Sequence, residues 1–252
     1  MSHYYQLEGP SGAPVVVLSN SLGTTFEMWQ PQMAALLENF RVLRYDTHGH
    51  GRTRNNEKTT LPQLAEDVLS VMDDAGVQQA HFCGISMGGL TGLWLARFAP
   101  ERFLSVTVAN SAAKIGEQSG WLERARTVRH EGMAAIAKSA PSRWFTDGFV
   151  KHHSAQVEAL CNTLAQINPE GYASCCEALA AADLRGEIGS ITLPMQFIAG
   201  VDDPVCSVAD SEFMQKQIMH SHLVTLKASH LSSVEDAHAF NVALLNFIQQ
   251  DD

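Results

Sequence analysis

The stretch His81-Phe82-Cys83-Gly84-Ile85-Ser86-Met87-Gly88-Gly89 sets a G-x-S-x-G pattern between an apolar run, Ala80 to Cys83, and a helical pattern through Leu90, Leu93, Trp94 and Ala96 to Pro100. A strand that turns sharply into a helix at a serine is a nucleophile elbow: the central residue sits in strained backbone, and the residues two places either side come close together. Gly84 and Gly88 meet that steric demand. The turn lifts the Ser86 hydroxyl clear of the sheet and puts the Met87 N–H at a helix N-terminus, where a developing oxyanion is stabilised. Without such flanks the same pattern is only a glycine-rich turn.

A serine hydroxyl at its ordinary pKa is a poor nucleophile, so a base must stand within hydrogen-bond reach, and the chain order that goes with this elbow is serine, acid, histidine. His230 is the candidate base, because Ala228-Ser229-His230-Leu231 is a short loop between the last strand and an amphipathic closing helix. His220, His222 and His238 read as surface or core-edge residues. The acid should follow the strand Met195 to Ala199, where Gly200-Val201-Asp202-Asp203-Pro204 offers two aspartates. Asp203 is preferred as the third residue after the glycine, with Pro204 stiffening the exit; Asp202 remains the alternative. A second oxyanion donor is expected from Ser19-Asn20-Ser21-Leu22-Gly23 after the first parallel strand, at the Leu22 N–H.

Outward from the elbow, short apolar runs alternate with amphipathic segments. Val15 to Leu18, Val42 to Tyr45, Phe103 to Ala109 and Leu223 to Leu226 read as strands, and Glu27 to Phe40 and Leu61 to Met72 as helices, the latter stopped by Gly76. The expected class is α/β, a mostly parallel sheet with helices on both faces. Residues 112–186 break the rhythm: they are Ala-rich, helical in pattern and without a good strand. They are expected to form a helical cap inserted into a core of residues 1–111 and 187–252. The insertion holds eight basic and eight acidic residues, so the net negative charge lies outside it.

The chain of 252 residues is 45% hydrophobic and 17% charged, enough apolar content for a sizeable core and too much for disorder. With 17 Lys and Arg against 27 Asp and Glu, its formal charge of −10 repels nucleic acid and anionic lipid. Neither is an expected partner. Ala13 to Leu18 is far short of the roughly 18 apolar residues of a membrane span, and Met1 to Leu7 lacks a signal pattern, so a soluble cytoplasmic protein is expected. Cys83, Cys161, Cys175, Cys176 and Cys206 are odd in number and include no C-x-x-C, which argues against disulfides and zinc. His48 and His50 form an H-x-H pair, but no third ligand follows at suitable spacing and Gly49 and Gly51 mark a tight turn, so no metal is expected there. His152-His153 reads as a solvated face. Nothing sets an oligomeric state.

Further segments narrow the reading: Leu18-Ser19-Asn20-Ser21-Leu22-Gly23-Thr24, Tyr45-Asp46-Thr47-His48-Gly49-His50-Gly51, Asn168-Pro169-Glu170-Gly171-Tyr172, Cys175-Cys176 with Ala182-Asp183-Leu184-Arg185, and Ala228 to Glu235. With the elbow, they resemble the α/β-hydrolases and, within them, the 3-oxoadipate enol-lactonase family, over nearly the whole chain. Two departures stand out: the chain starts late, so the first strand or two are expected to be shortened, and His48 stands where the family usually has Arg. The resemblance implies a serine hydrolase that opens the enol-lactone ring to give 3-oxoadipate in the protocatechuate and catechol branch of aromatic catabolism, with no cofactor and a small anionic lactone as its partner. Because that substrate carries a carboxylate, a local cation is expected, and Ser142-Arg143-Trp144-Phe145 offers Arg143 and Trp144 as binding residues of a pocket lid. The bland alternative is that the aromatics pack the insertion and Arg143 is solvated, with Arg124, Arg126 and Arg129 next in line. Other readings are a different capped ester or C–C bond hydrolase and a non-catalytic receptor of the same fold.

Overall fold

The computed structural model describes residues 3–249 apart from Asn56. Seven strands form one sheet: β1 (Tyr5–Glu8), β2 (Val15–Ser19), β3 (Arg41–Tyr45), β4 (Ala80–Ile85), β5 (Phe103–Ala109), β6 (Met195–Gly200) and β7 (Ser221–Leu226), in the order β1-β3-β2-β4-β5-β6-β7. Only β1 is antiparallel, pairing Tyr5 with Tyr45 at the sheet edge, and every other pairing is parallel. Parallel strands need crossovers, which put helices over both faces of the sheet. Accordingly every residue of β2, β4 and β6 is buried, with no alternation.

The helices are α1 (Gln30–Leu36), α2 (Leu61–Asp74), α3 (Met87–Phe98), α4 (Gln118–Glu131), α5 (Ala134–Trp144), α6 (Asp147–His152), α7 (Ser154–Ala165), α8 (Pro169–Ala181), α9 (Val208–Gln217), α10 (Ser232–Glu235) and α11 (Ala237–Ile248). α3 packs on β4 and β5 with α2 beside it, while α1 packs with α10 and α11. The helix expected over Glu27 to Phe40 is shorter than the apolar spacing suggests. Phe26–Trp29 is a separate 3₁₀ turn, and α1 begins only where Pro31 can occupy the first helical turn. Similarly α3 stops at Phe98, before Pro100 opens a 3₁₀ turn of its own.

Between β5 and β6 the chain runs through α4 to α8. One buried apolar cluster extends from the sheet into these helices, taking in Trp144, Phe145, Leu164 and Tyr172 along with Val17, Phe82 and Phe197. Arg129 on α4 reaches across to both Glu170 and Glu177 on α8. α8 meets the sheet side through backbone: a Cβ on Gly171 would stand 2.5 Å from the Gly49 Cα and O. Ser174 Oγ accepts the Thr59 N–H at 2.7 Å and donates to Glu57 O at 3.0 Å. No helix among the described residues is long and apolar enough to cross a membrane.

The Gly49–Gly171 contact leaves no room for a methyl group on either side, so Gly171→Ala must push the two backbones apart. Overpacking of this kind costs about 1–3 kcal/mol, a drop in Tm of about 2–12 °C for a chain of this size. Gly120→Ala, at an α4 position where a Cβ meets nothing within 4 Å, should leave Tm unchanged or slightly raised. Thermal unfolding followed by circular dichroism compares the two, and equal melting temperatures would contradict the packing argument.

Candidate active site

Ser86 stands at the junction of β4 and α3 with φ 57° and ψ −118°, a left-handed conformation rare outside glycine. Its neighbours hold it there. A Cβ on Gly84 would lie 2.2 Å from Gly88 O, and one on Gly88 would lie 2.3 Å from Ser19 O, so both glycines are sterically required. The Ser86 N–H donates to Ala109 O at 2.9 Å, Ser111 Oγ donates to Ser86 O at 2.7 Å, and the Gly88 N–H donates to Asn20 O at 3.1 Å. The last bond ties the elbow to the loop after β2.

His230 lies in the loop after β7, is 3% exposed, and places Nε2 2.9 Å from Ser86 Oγ. Its Nδ1 faces both carboxylate oxygens of Asp203, at 3.0 and 2.9 Å. The proton on Nδ1 therefore donates to the carboxylate, and Nε2 is left to accept the serine hydroxyl proton. Asp203 leaves β6 pointing inward, whereas Asp202, one residue earlier, is exposed. Asp203 Oδ1 also accepts the Val205 and Cys206 N–H groups at 2.7 and 3.0 Å. Burial pushes the Asp203 carboxyl up, but the hydrogen bonds from His230, Asn110 and Cys206 and the His230 charge outweigh it, and its pKa lies below the ordinary value.

Two residues not singled out in the sequence complete this frame. Asn110, at φ 44°, donates through Nδ2 to Asp203 Oδ2 and to Ser229 O, both at 3.0 Å, and Ser232 Oγ donates to its Oδ1. Glu235 accepts the Ser229 N–H at 2.8 Å and the backbone and hydroxyl protons of Thr146, joining the histidine loop to the inserted helices. The one available signal was Asn110 itself, an asparagine at a strand end where its side chain tolerates left-handed backbone.

The Ser86 hydroxyl opens onto a cavity of about 340 Å³ lined by Leu22, His230, Trp144, Arg124, Arg143 and Tyr172, among others. Leu22 and Ser86 both line this cavity, and Met87 follows Ser86 at the start of α3. Trp144 is 4% exposed and forms wall, while Phe145 packs away from the cavity against Phe149. Arg143 donates to Ser139 Oγ and to Ile136 O of its own helix, and Arg124 lies over the Trp121 ring at 4.7 Å. Neither guanidinium pairs with a carboxylate among the described residues, and the wall's Glu117 is engaged with Lys114. Burial, and then the Arg124 charge, pull Arg143 below the usual guanidinium value. Arg129 is committed to Glu170 and Glu177, and Arg126 to Glu123 on the surface. His48 faces a different cavity, donating from Nε2 to Glu57 O at 2.8 Å. His152 and His153 are exposed.

Asp203, Cys206 and His230 form the one cluster of His, Cys, Asp and Glu among the described residues close enough to share an ion. Its atoms are already committed: His230 donates to Asp203, and burial holds the Cys206 thiol well above its ordinary pKa and so protonated. The arrangement is a proton relay able to activate Ser86 for attack on a carbonyl.

The α/β hydrolase fold family matches residues 14–131. The chain is 49% identical to 3-oxoadipate enol-lactonase 2 of Acinetobacter baylyi, over 95% of this chain and 90% of that protein. It is 46% identical to 3-oxoadipate enol-lactonase 1 of the same organism, over 97% and 92%. Among solved structures it superposes on an enol-lactonase from Burkholderia xenovorans with a TM-score of 0.96 and 41% identity, covering 98% of this chain and 96% of that one.

The two adjacent aspartates separate cleanly by mutation. With p-nitrophenyl acetate as acyl donor, Asp203→Asn should lower kcat by about 10³- to 10⁴-fold through a wrongly oriented histidine. Asp202→Asn should stay within about threefold, as a solvated surface change does. The opposite ranking would move the acid to Asp202.

Proposed function

The chain belongs to the 3-oxoadipate enol-lactonase family of the α/β-hydrolase fold, and from that premise we propose that Ser86, His230 and Asp203 carry the ring opening, with the Leu22 and Met87 N–H groups as oxyanion donors and Arg143, Arg124 and Trp144 as the substrate-binding wall. The protein is a lactone hydrolase, converting 3-oxoadipate enol-lactone to 3-oxoadipate. The observation that carries the site assignment is the continuous relay from Asp203 through His230 to Ser86, opening onto a cavity that also holds two arginines without acidic partners among the described residues.

On this reading His230 Nε2 takes the Ser86 proton as Oγ attacks the lactone carbonyl, and the oxyanion settles against the two N–H groups. Collapse breaks the ring C–O bond and expels an enolate, a better leaving group than an alkoxide. It takes the proton from His230 and tautomerises to the ketone. Water, deprotonated by the same Nε2, then attacks the Ser86 ester, releasing the new carboxylate and returning the proton to Oγ. Asp203 stays anionic throughout and orients the imidazolium. The substrate's side-chain carboxylate would sit between Arg143 and Arg124, where a planar guanidinium matches it. A cavity of about 340 Å³ suits a molecule this small.

The inserted helices of residues 112–186 act in this reading as a cap that supplies the cationic wall. Five free thiols support a reducing, cytoplasmic setting, and the pathway proposed is bacterial aromatic-compound catabolism. The direct test is hydrolysis of the purified enol-lactone; inactivity toward it, with simple esters still turned over, would favour another ester hydrolase of the fold.

Two variants probe the roles. Ser86→Ala should keep the fold and lose about 10⁴-fold or more in kcat, as removal of one coupled triad member does, and a serine-directed phosphonate should label Ser86 alone by mass spectrometry. Retention of a tenth of the activity would end the covalent mechanism. Arg143→Ala should cost at least about 2 kcal/mol, or roughly 30-fold in kcat/KM, on the anionic lactone. On an uncharged ester it should cost about threefold or less, as lost packing alone does. Equal losses on both substrates would make Arg143 a structural residue of the cap.

A further inference from the structure

The H-x-H turn is the sequence feature that the proposed chemistry leaves unused, and its second histidine stands directly behind the oxyanion loop. His50 is fully buried. Its Nδ1 lies 2.8 Å from His48 O, a carbonyl that can only accept, so the ring proton is on Nδ1. Nε2 therefore carries a lone pair, and at 3.0 Å it accepts the N–H of Gly23, the residue after Leu22. Burial pulls the His50 pKa down to about 4, which keeps the ring neutral and the lone pair available at neutral pH.

The rest of the loop explains why this one bond matters. On the Asn20 side three hydrogen bonds act: Asn20 Nδ2 donates to Tyr45 O at 2.7 Å, Trp29 Nε1 donates to Asn20 Oδ1 at 2.9 Å, and the Gly88 N–H donates to Asn20 O. On the other side Gly23 has φ +82°, a conformation that glycine enters freely and so does not itself fix. There the turn is closed by Thr24, whose N–H and Oγ1 donate to Ser21 O at 3.2 and 2.8 Å, and the Leu22–Gly23 peptide between them is held by His50. The turn that presents His50 is anchored in its own right, with His48 O also accepting the Cys175 Sγ–H of α8 at 3.6 Å and His48 Nε2 donating to Glu57 O. The His50 ring further stands 6.3 Å from the ring of Tyr172, which lines the cavity.

We propose that His50 is a positioning residue of the oxyanion hole: its Nε2 lone pair holds the Gly23 N–H, fixes the Leu22–Gly23 peptide and with it the Leu22 backbone angles, and so helps aim the N–H that Leu22 contributes from the preceding Ser21–Leu22 peptide. The inference rests on the serine-hydrolase reading of Ser86 but not on the lactone as substrate. Loss of the acceptor frees the Leu22–Gly23 peptide, loosens the Leu22 backbone angles that orient the adjoining donor, and so misaligns an N–H whose full loss is worth about 10²- to 10³-fold in kcat. The effect belongs to the transition state, because only there does the oxygen carry the charge.

The test uses the intact enzyme with p-nitrophenyl acetate, so that it succeeds or fails independently of lactone turnover. His50→Phe keeps a ring and removes the acceptor, and it should lower kcat by about 10- to 100-fold while changing KM by less than about threefold. Its affinity for a boronic acid that mimics the tetrahedral intermediate should weaken by the same factor as kcat/KM, and affinity for the product 3-oxoadipate should not change. His50→Gln, whose side-chain oxygen can accept the Gly23 N–H, should recover most of kcat. Wild-type kcat in a folded His50→Phe protein would overturn the proposal, as would a boronate affinity that stays constant while kcat falls, or a folded His50→Gln no better than His50→Phe. If His50→Phe does not fold, labelled wild-type enzyme decides: a through-bond ¹⁵N coupling between the Gly23 amide and His50 Nε2 supports the proposal, and its absence overturns it.

Discussion

The backbone of Ser86 is the constraint on which the rest of the site depends. A non-glycine residue at φ 57° costs on the order of 1–3 kcal/mol and persists only where its surroundings over-determine it. Here they do so from three directions. β5 supplies Ala109 O to the Ser86 N–H, Ser111 Oγ caps the Ser86 carbonyl, and the loop after β2 takes the Gly88 N–H on Asn20 O. The same contacts that hold the strain also tie the elbow to the loop that contains Leu22, because that loop clamps Gly88 through Asn20 O. On the proposed reading, nucleophile and oxyanion hole are therefore set by one local geometry rather than by two separate ones.

The histidine loop is built on a different logic. Elbow strain is local, but His230 must be carried to Ser86 from a strand at the sheet edge, and it arrives through partners far apart in the chain. Asn110 binds Asp203 and Ser229 O together, Glu235 takes the Ser229 N–H, and the Leu231 N–H donates to Trp144 O at 2.9 Å. Trp144 and Thr146 lie in the helical stretch between β5 and β6, so this loop is braced by the sheet on one side and by the pocket wall on the other. A shift in the inserted helices has a hydrogen-bonded route to the base as well as to the substrate. That coupling follows from the fold's economy: one loop after β7 serves both the relay and the cavity.

This contrast explains which regions of the site were legible in the sequence. Ser86 and His230 were readable because each lies in a short contiguous pattern whose meaning depends on immediate neighbours: glycines two places away, or a strand and helix on either flank. Asp203 required only the direction in which a strand delivers successive side chains. The parallel sheet was legible from unbroken apolar runs, whereas β1, four residues at an edge and only partly buried, carried no such signal. Asn110 and Glu235 were not named as site residues from the sequence, since Asn110 binds Asp203 and Ser229, 93 and 119 positions away, and Glu235, although only six residues from Ser229, also binds Thr146, 89 positions away. Arg143 was singled out for its aromatic neighbours and Arg124 ranked behind it; both line the cavity, and helical spacing on α4 does not say which residue of that helix will face it.

An acidic protein that takes an anionic substrate presents an electrostatic contradiction, and the structure resolves it by distance. The formal charge of −10 is spread over a surface whose field is screened beyond about 8 Å at physiological salt, whereas Arg124 and Arg143 stand in the wall of the cavity itself. Burial and then the Arg124 charge lower the Arg143 pKa, and no acidic partner among the described residues offsets them, so on the proposed reading a bound carboxylate gains both attractions and removes a like-charge penalty. At the other end of the cavity the sign reverses. Asp203 is held anionic by its hydrogen bonds, and hydrolysis creates a second carboxylate next to the histidine it orients. On the proposed reading the monoanionic lactone is therefore held at its arginine end, while the dianionic product also meets like charge at its serine end. The charge pattern that secures the substrate thus works against retention of the product.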